Sequence, residues 1–154
     1  MEKGKTSKYW VFILSAILWL AIDLTVKNIM FHGYVRPIIV IKDFFYFSLQ
    51  INKGVAFGIP LGYAFQLIVS IMILGMLVYF GVRYILPSKR NSFIIQFLLG
   101  IIIGGALGNL INRIQLGYVI DYIVLKPIPV FNIADIGITL GLIFLFILTY
   151  NEQK

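Results

Sequence analysis

The chain has no cysteine and a single histidine, His32. Disulfides, thiolate metal sites and thiol nucleophiles are excluded, and one imidazole cannot build a histidine-based zinc site. No other metal or cofactor motif is present. Charge is equally scarce. Only 12% of the 154 residues are charged, and six acids face thirteen Lys and Arg. Soluble chains carry about 25% charge. With 60% hydrophobic residues and a mean hydropathy of +0.97, this chain has more apolar surface than a water-borne domain of its length can hide. Long-period repeats, low-complexity tracts and aromatic–basic interleaving are missing too. The net charge of +7 sits on residues that flank apolar runs, which suits membrane anchoring and not nucleic-acid binding. These absences leave an integral membrane protein made of one compact bundle.

What is present is four apolar segments, at about 9–31, 63–86, 92–111 and 132–150. A spanning helix needs about 20 residues, and each segment fits. The first segment follows MEKGKTSK and imitates a signal peptide. Asp23 and Lys27 come where a small-residue cleavage pattern would stand, so it reads as a retained helix. The expected fold class is membrane α-helical: one integral membrane domain over 1–154 with four transmembrane helices. Four spans put both termini on one side. Lys3, Lys5, Lys8, Arg83, Lys89, Arg90 and Lys154 belong to that side, and Lys27, Arg36, Lys42, Lys53, Arg113 and Lys126 to the other. The totals nearly balance. The dense basic turn at 87–91 decides for cytoplasmic termini. Residues 32–60 and 113–131 are then extracytoplasmic. The first contains RPIIVIKDFFYFSLQINKG, whose β-branched and aromatic run predicts a small β-rich element. Unpaired backbone cannot face lipid, so it belongs at or above the interface. The second is an arm in which Pro127 and Pro129 forbid a regular helix.

A charge at membrane depth costs about 2.5–3.5 kcal/mol, so the polar residues need reasons. Asp23 and Lys27 are spaced to pair on one helix face, either as an interfacial ion pair that ends the helix or as part of a site. Asn52 and Gly54, within NKGVAFG, form an ordinary loop or a backbone surface that approaches a substrate closely. Gly100, Gly104, Gly105, Gly108, Gly137 and Gly141 are a packing signal, and they predict close approach of the third and fourth spans. Asn109, Asn112 and Arg113 share a face at the end of the third span. Asn132 is a plausible N-cap of the fourth. Asp135 lies one turn later, where a carboxylate tunes a helix start or serves a site. For Asp121 the choice is a salt bridge to Arg113 or Lys126, or that same site. If Asp121 and Asp135 meet, they share one proton. The ionised member can then activate a water while the protonated one donates to a carbonyl: amide hydrolysis without a metal or a covalent intermediate.

The same residues resemble the lipoprotein signal peptidase family, signal peptidase II. DLTVK at 23–27 is similar to that family's DQxTK, NKGVAFG at 52–58 to NxGAAFG, and GALGNLINR at 105–113 to GGAxGNxxDR. VIDY at 119–122 is similar to VVDF, and FNIAD at 131–135 to FNxAD. The five motifs come in order and cover most of the chain. The resemblance implies a bacterial inner-membrane aspartic endopeptidase whose site faces outward, with Asp121 and Asp135 as the catalytic dyad. Its implied substrate is lipid-modified prolipoprotein, cut before the diacylglyceryl-cysteine. Asn52, Gly54, Asn109, Asn112, Arg113, Asn132, Asp23 and Lys27 fall on positions that line or support the site. Leu24, Asn112 and Ile136 depart from the family's Gln, Asp and Ser. The expected partners are that substrate and membrane lipids, without nucleic acid, and the expected state is a monomer. The competing readings are a non-catalytic paralogue that binds lipidated peptides and a small transporter or proton relay.

Overall fold

The computed structural model describes residues 9–33, 36–54, 62–86 and 93–151. The basic residues at positions 3, 5, 8, 89, 90 and 154, the rest of the 87–91 turn, and Gly58 lie outside them.

Helix α1 spans Trp10–Gly33, strand β1 Ile38–Ile41 and strand β2 Phe45–Asn52. Helix α2 covers Tyr63–Phe80 and continues in a π-helical turn over Gly81–Ile85. Helix α3 covers Phe93–Leu116, strand β3 Val119–Leu125 and helix α4 Ile133–Asn151. Together, α1, α2 with its π turn, and α3 are three helices long and apolar enough to cross a membrane. The apolar stretch of α4, Ile133–Leu148, is shorter, about 24 Å at 1.5 Å per residue.

Helix α3 is the axis of the bundle. Most of its side chains are buried, whereas α2 buries only Gln66 over Tyr63–Phe80. Ile95, Leu98, Ile101 and Ile102 of α3 pack with Leu145 of α4 in one core cluster. Leu99 and Ile103 join Leu86 in another. The outward faces of α1, α2 and α4 carry exposed Ile17, Ile68, Met72, Phe144 and Phe146. Such surface suits lipid.

The glycines explain the closeness of the packing, with a change of partner. A Cβ at Gly104 would stand 2.5 Å from the Ala16 carbonyl oxygen, and one at Gly100 would stand 2.6 Å from that of Phe12. At Gly108 it would meet the Asp23 carboxylate. The four-residue stripe on α3 therefore admits α1, not α4. Contact with α4 rests on Gly105, opposite the Ala134 carbonyl oxygen at 2.6 Å, and on Gly141, opposite Ile102.

The strands form one antiparallel sheet in the order β1-β2-β3. The β1–β2 hairpin is the β-rich element of the first long stretch. Its turn places Asp43 at φ 58. The second stretch differs from expectation at both ends. Helix α3 continues to Leu116, and β3 then pairs with β2, Gln50 opposite Asp121 and Asn52 opposite Val119. Val119 through Val124 are buried on both strand faces, so the segment reads as a continuous apolar run with no alternation. After β3 the chain turns back. Phe131 N–H donates to the Ile123 carbonyl at 3.1 Å, and Ile123 N–H returns the bond at 2.8 Å. This closure delivers Asn132 and the start of α4 to the level of Asp121.

Candidate active site

Asp121 sits on β3 with 2% of its surface exposed. Asn52 is its diagonal neighbour on the same sheet face and donates Nδ2 to Oδ2 at 2.8 Å. Asn132 donates Nδ2 to Oδ1 at 2.7 Å. The bonds of Asp121 thus go to two amides, not to Arg113 or Lys126. Asp135 is half-buried in the first turn of α4. Asn109 donates Nδ2 to its Oδ1 at 2.8 Å, and Asn132 donates its backbone N–H to Oδ2 at 3.1 Å. The Asn132 side-chain oxygen accepts the Asp135 N–H at 3.0 Å. These reciprocal bonds are a capping box. They make Asn132 one residue that holds both carboxylates.

The three amides share a logic. An asparagine that gives its oxygen to one donor turns its NH2 the other way. The Asn52 oxygen accepts the Gly54 N–H at 2.8 Å, the Asn132 oxygen accepts the Asp135 N–H, and the Asn109 oxygen accepts Lys27 Nζ at 2.7 Å. Each NH2 therefore points at an acid.

Asp23 and Lys27 pair at 2.7 Å with 0% and 1% of their side chains exposed. The pair is buried and does not end α1, which runs six residues further to Gly33. Asp23 Oδ1 also accepts the Ala134 N–H at 3.1 Å, tying α1 to the start of α4. Arg113 lies on α3 rather than beyond it. Its guanidinium reaches the Gly54 carbonyl at 3.3 Å and the Asn109 carbonyl at 3.4 Å, long contacts both. Its buried Nε has no hydrogen-bond partner, while both acids act on it through space. Asn112 accepts the Ile120 N–H on Oδ1 at 3.2 Å, a bond that needs only an acceptor, so an aspartate would serve equally. Ile136 packs with the cluster of Met30, Ile120 and Tyr122, an apolar setting that accounts for its departure. Leu24 is half-buried on α1, and nothing in the structure explains why it replaces the family's Gln.

Sequence reasoning missed two residues. Gln66, in the first turns of α2, donates to the Lys53 carbonyl and so holds the segment that carries Asn52 and Gly54. Its polarity inside an apolar run was the available signal. Tyr122 is buried and accepts the Ile133 N–H on its hydroxyl at 3.3 Å. Burial pushes its ionisation well above the usual phenol range. Asp121 is pushed up to about 6, chiefly by burial. The Asn52 bond opposes this, and Asp135 adds to it. A buried carboxylate raised toward neutrality beside a second carboxylate in a helix's first turn is a pair able to split acid and base roles.

The family model described as signal peptidase (SPase) II matches residues 15–151. A lipoprotein signal peptidase of Caldicellulosiruptor bescii is 36% identical over 146 residues, covering 94% of this chain and 91% of that protein. One of Clostridium tetani is 42% identical over 123 residues, covering 77% of each. Among solved structures, a bacterial membrane enzyme determined in meso at 2.3 Å superimposes with a TM-score of 0.81 at 30% identity, covering 96% of this chain and 93% of that one. A second, at 1.9 Å, gives 0.75 at 32% identity, covering 91% and 94%.

Proposed function

Because the chain belongs to the signal peptidase II family, an aspartic endopeptidase family that removes signal peptides from lipid-modified prolipoproteins, we propose that Asp121 and Asp135 are its catalytic pair. The observation that carries this is the double grip of Asn132, whose side chain bonds Asp121 and whose backbone bonds Asp135. The substrate is cut on the amino side of its diacylglyceryl-cysteine.

Asp121 is the proton donor of the pair, since burial favours its protonated form and lifts it to about 6. Asp135 is the base of the pair, placed in the first turn of α4, where negative charge is favoured. A water between them gives a proton to Asp135, and its oxygen attacks the scissile carbonyl carbon. Asp121 gives its proton to the carbonyl oxygen, forming a tetrahedral diol. Protonation of the amide nitrogen through Asp135 then breaks the C–N bond. It releases the signal peptide's carboxylate and the new amino terminus of the cysteine, and the diol's proton returns to Asp121.

The chain is a single membrane domain, the termini are cytoplasmic, and the sheet with the carboxylate pair lies towards the outer face of the bacterial cytoplasmic membrane. Exposed Ile38, Ile39, Val40, Ile41 and Phe44 on the hairpin support a sheet resting on lipid. The protein acts as a monomer without nucleic acid. A proton relay needs ionisable groups spread along a path, whereas buried Asp23, Lys27, Arg113 and Asp121 gather in one network.

The test is cleavage of a diacylglyceryl-modified prolipoprotein by the wild type, Asp121→Asn and Asp135→Asn. Both variants are expected to lose cleavage. Survival of cleavage in either refutes the pair. A folded wild type that binds but never cleaves would identify a lipopeptide-binding paralogue.

A further inference from the structure

Lys27 is the most deeply buried cation among the described residues, and the hydrolysis above gives it no step. Its ammonium has 1% exposure, so it cannot reach a substrate. It donates to Asp23 Oδ2 at 2.7 Å and to Asn109 Oδ1 at 2.7 Å. An ammonium has donors only, so Asn109 must turn its oxygen toward Lys27. Its NH2 then faces Asp135 Oδ1, at 2.8 Å. The other donor to the Asn109 oxygen, Asn132 Nδ2, is 3.1 Å away and is shared with Asp121 at 2.7 Å. It would not by itself fix the amide. The same ion pair grips the backbone next to Asp135, because Asp23 Oδ1 accepts the Ala134 N–H at 3.1 Å.

We infer that Lys27 is a positioning residue for the peptidase reaction: through Asn109 it fixes which end of an amide faces Asp135, and with Asp23 it fixes where α4 begins. This rests on Asp121 and Asp135 being the catalytic pair. Without the lysine the amide can rotate and present its oxygen to Asp135, opposing the ionised form that takes the water's proton. The charged groups around Asp135 are Asp23 and Lys27 on α1, Arg113 on α3 and Asp121 on β3, with the Tyr122 phenol of β3 also in range. Removing Lys27 alone would strip one charge from this set and leave Asp23 buried without its partner. The informative variant is the neutral double substitution Asp23→Asn with Lys27→Met. It leaves the net charge unchanged and keeps an oxygen for the Ala134 N–H.

The experiment uses the full chain in detergent or lipid with diacylglyceryl prolipoprotein as substrate. A thermal melt establishes folding, and Asp121→Asn and Asp135→Asn run alongside. The folded double variant is expected to lose about 100-fold in kcat, as small misplacements of reacting groups do, with KM unchanged. The acid limb of its kcat/KM profile is expected to move to higher pH. Lys27→Gln, whose amide can still donate to Asn109, is expected to recover part of what Lys27→Met loses. An ion pair with a purely structural role would not distinguish Gln from Met. A folded double variant with wild-type kcat and pH profile overturns the inference. If the double variant does not fold, Asn109→Asp decides: it keeps the oxygen for Lys27 and replaces the NH2 facing Asp135. Wild-type kcat there overturns the inference equally, and loss of kcat with KM retained supports it. Should Asp121→Asn or Asp135→Asn still cleave, the catalytic pair itself is wrong, whatever Lys27 does.

Discussion

Replacing Asn132 separates two jobs that one side chain does. The residue is fully buried. Its oxygen caps α4 through the Asp135 N–H at 3.0 Å, and its NH2 holds Asp121 at 2.7 Å. Alanine removes both. Loss of a cap costs about 1 kcal/mol, and leaving a buried acceptor without its donor costs about 1–3 kcal/mol. Asn132→Ala should therefore lose about 3 kcal/mol of stability in all. Serine keeps a capping oxygen, so Asn132→Ser should be more stable than alanine by about 1 kcal/mol. Neither variant can donate an NH2 to Asp121, so both should lose about 100-fold in kcat. The pH profile adds a sign. The lost bond favoured the ionised form of Asp121, so its ionisation should climb further above about 6, and the basic limb of kcat/KM should move to higher pH. The assay is thermal unfolding in detergent together with kcat across pH 4–9 on diacylglyceryl prolipoprotein. Equal stability of the two variants would refute the cap. Near wild-type kcat in a folded Asn132→Ser would refute the claim that the amide holds Asp121 for the reaction.

Three further outcomes follow from the same geometry. Asp121 holds its proton more tightly in the folded state, at about 6 against an ordinary 3.8. The stability this confers is full below about pH 4 and is lost as pH rises through 6. At about 1.4 kcal/mol per unit this amounts to about 3 kcal/mol. Thermal stability should therefore fall over that window in the wild type, and Asp121→Asn should show a smaller fall when melted at the same pH values. Gly104→Val should prevent α1 from seating, because even its Cβ would stand 2.5 Å from the Ala16 carbonyl oxygen. Overpacking of about 1–3 kcal/mol or more should appear as a lowered melting temperature. Asn112→Asp should keep the bond to the Ile120 N–H and retain cleavage, whereas Asn112→Leu strands that N–H at a cost of about 1–3 kcal/mol. Melts and cleavage rates of the two separate these outcomes.

The apolar runs announce the helices because a long hydrophobic segment has few other uses. The Asp23–Lys27 spacing likewise announces a pair. Their destination was not legible. Lys27 meets Asn109 across 82 residues of sequence, and no local pattern encodes which of several helices an ammonium will face. The glycines show the same limit. Their four-residue spacing gives close packing, but the partner helix depends on rotation about the α3 axis, which the spacing leaves free. Strand β3 was hidden for a different reason. Buried on both faces, YVIDYIVL lacks the alternation that marks a half-exposed strand, and the nearby prolines drew attention to where helix must stop, not to where sheet begins. Asn52, Asn109, Asn132, Asp121 and Asp135 were each noticeable as polar residues in apolar surroundings. Which end of each amide faces an acid could emerge only from the donors around it.

The closure between Ile123 and Phe131 has a consequence in chain entropy. The two ends are fixed by backbone bonds at 2.8 and 3.1 Å, while Lys126, Pro127, Ile128 and Pro129 between them are exposed. Lengthening such a loop is cheap, about 0.6 kcal/mol for each doubling. The meeting of Asp121 with Asn132 is therefore insured by the ends of the turn and is nearly indifferent to its tip. A tag or reporter inserted at Ile128 would ride on the protein a few residues from its most constrained chemistry without entering it.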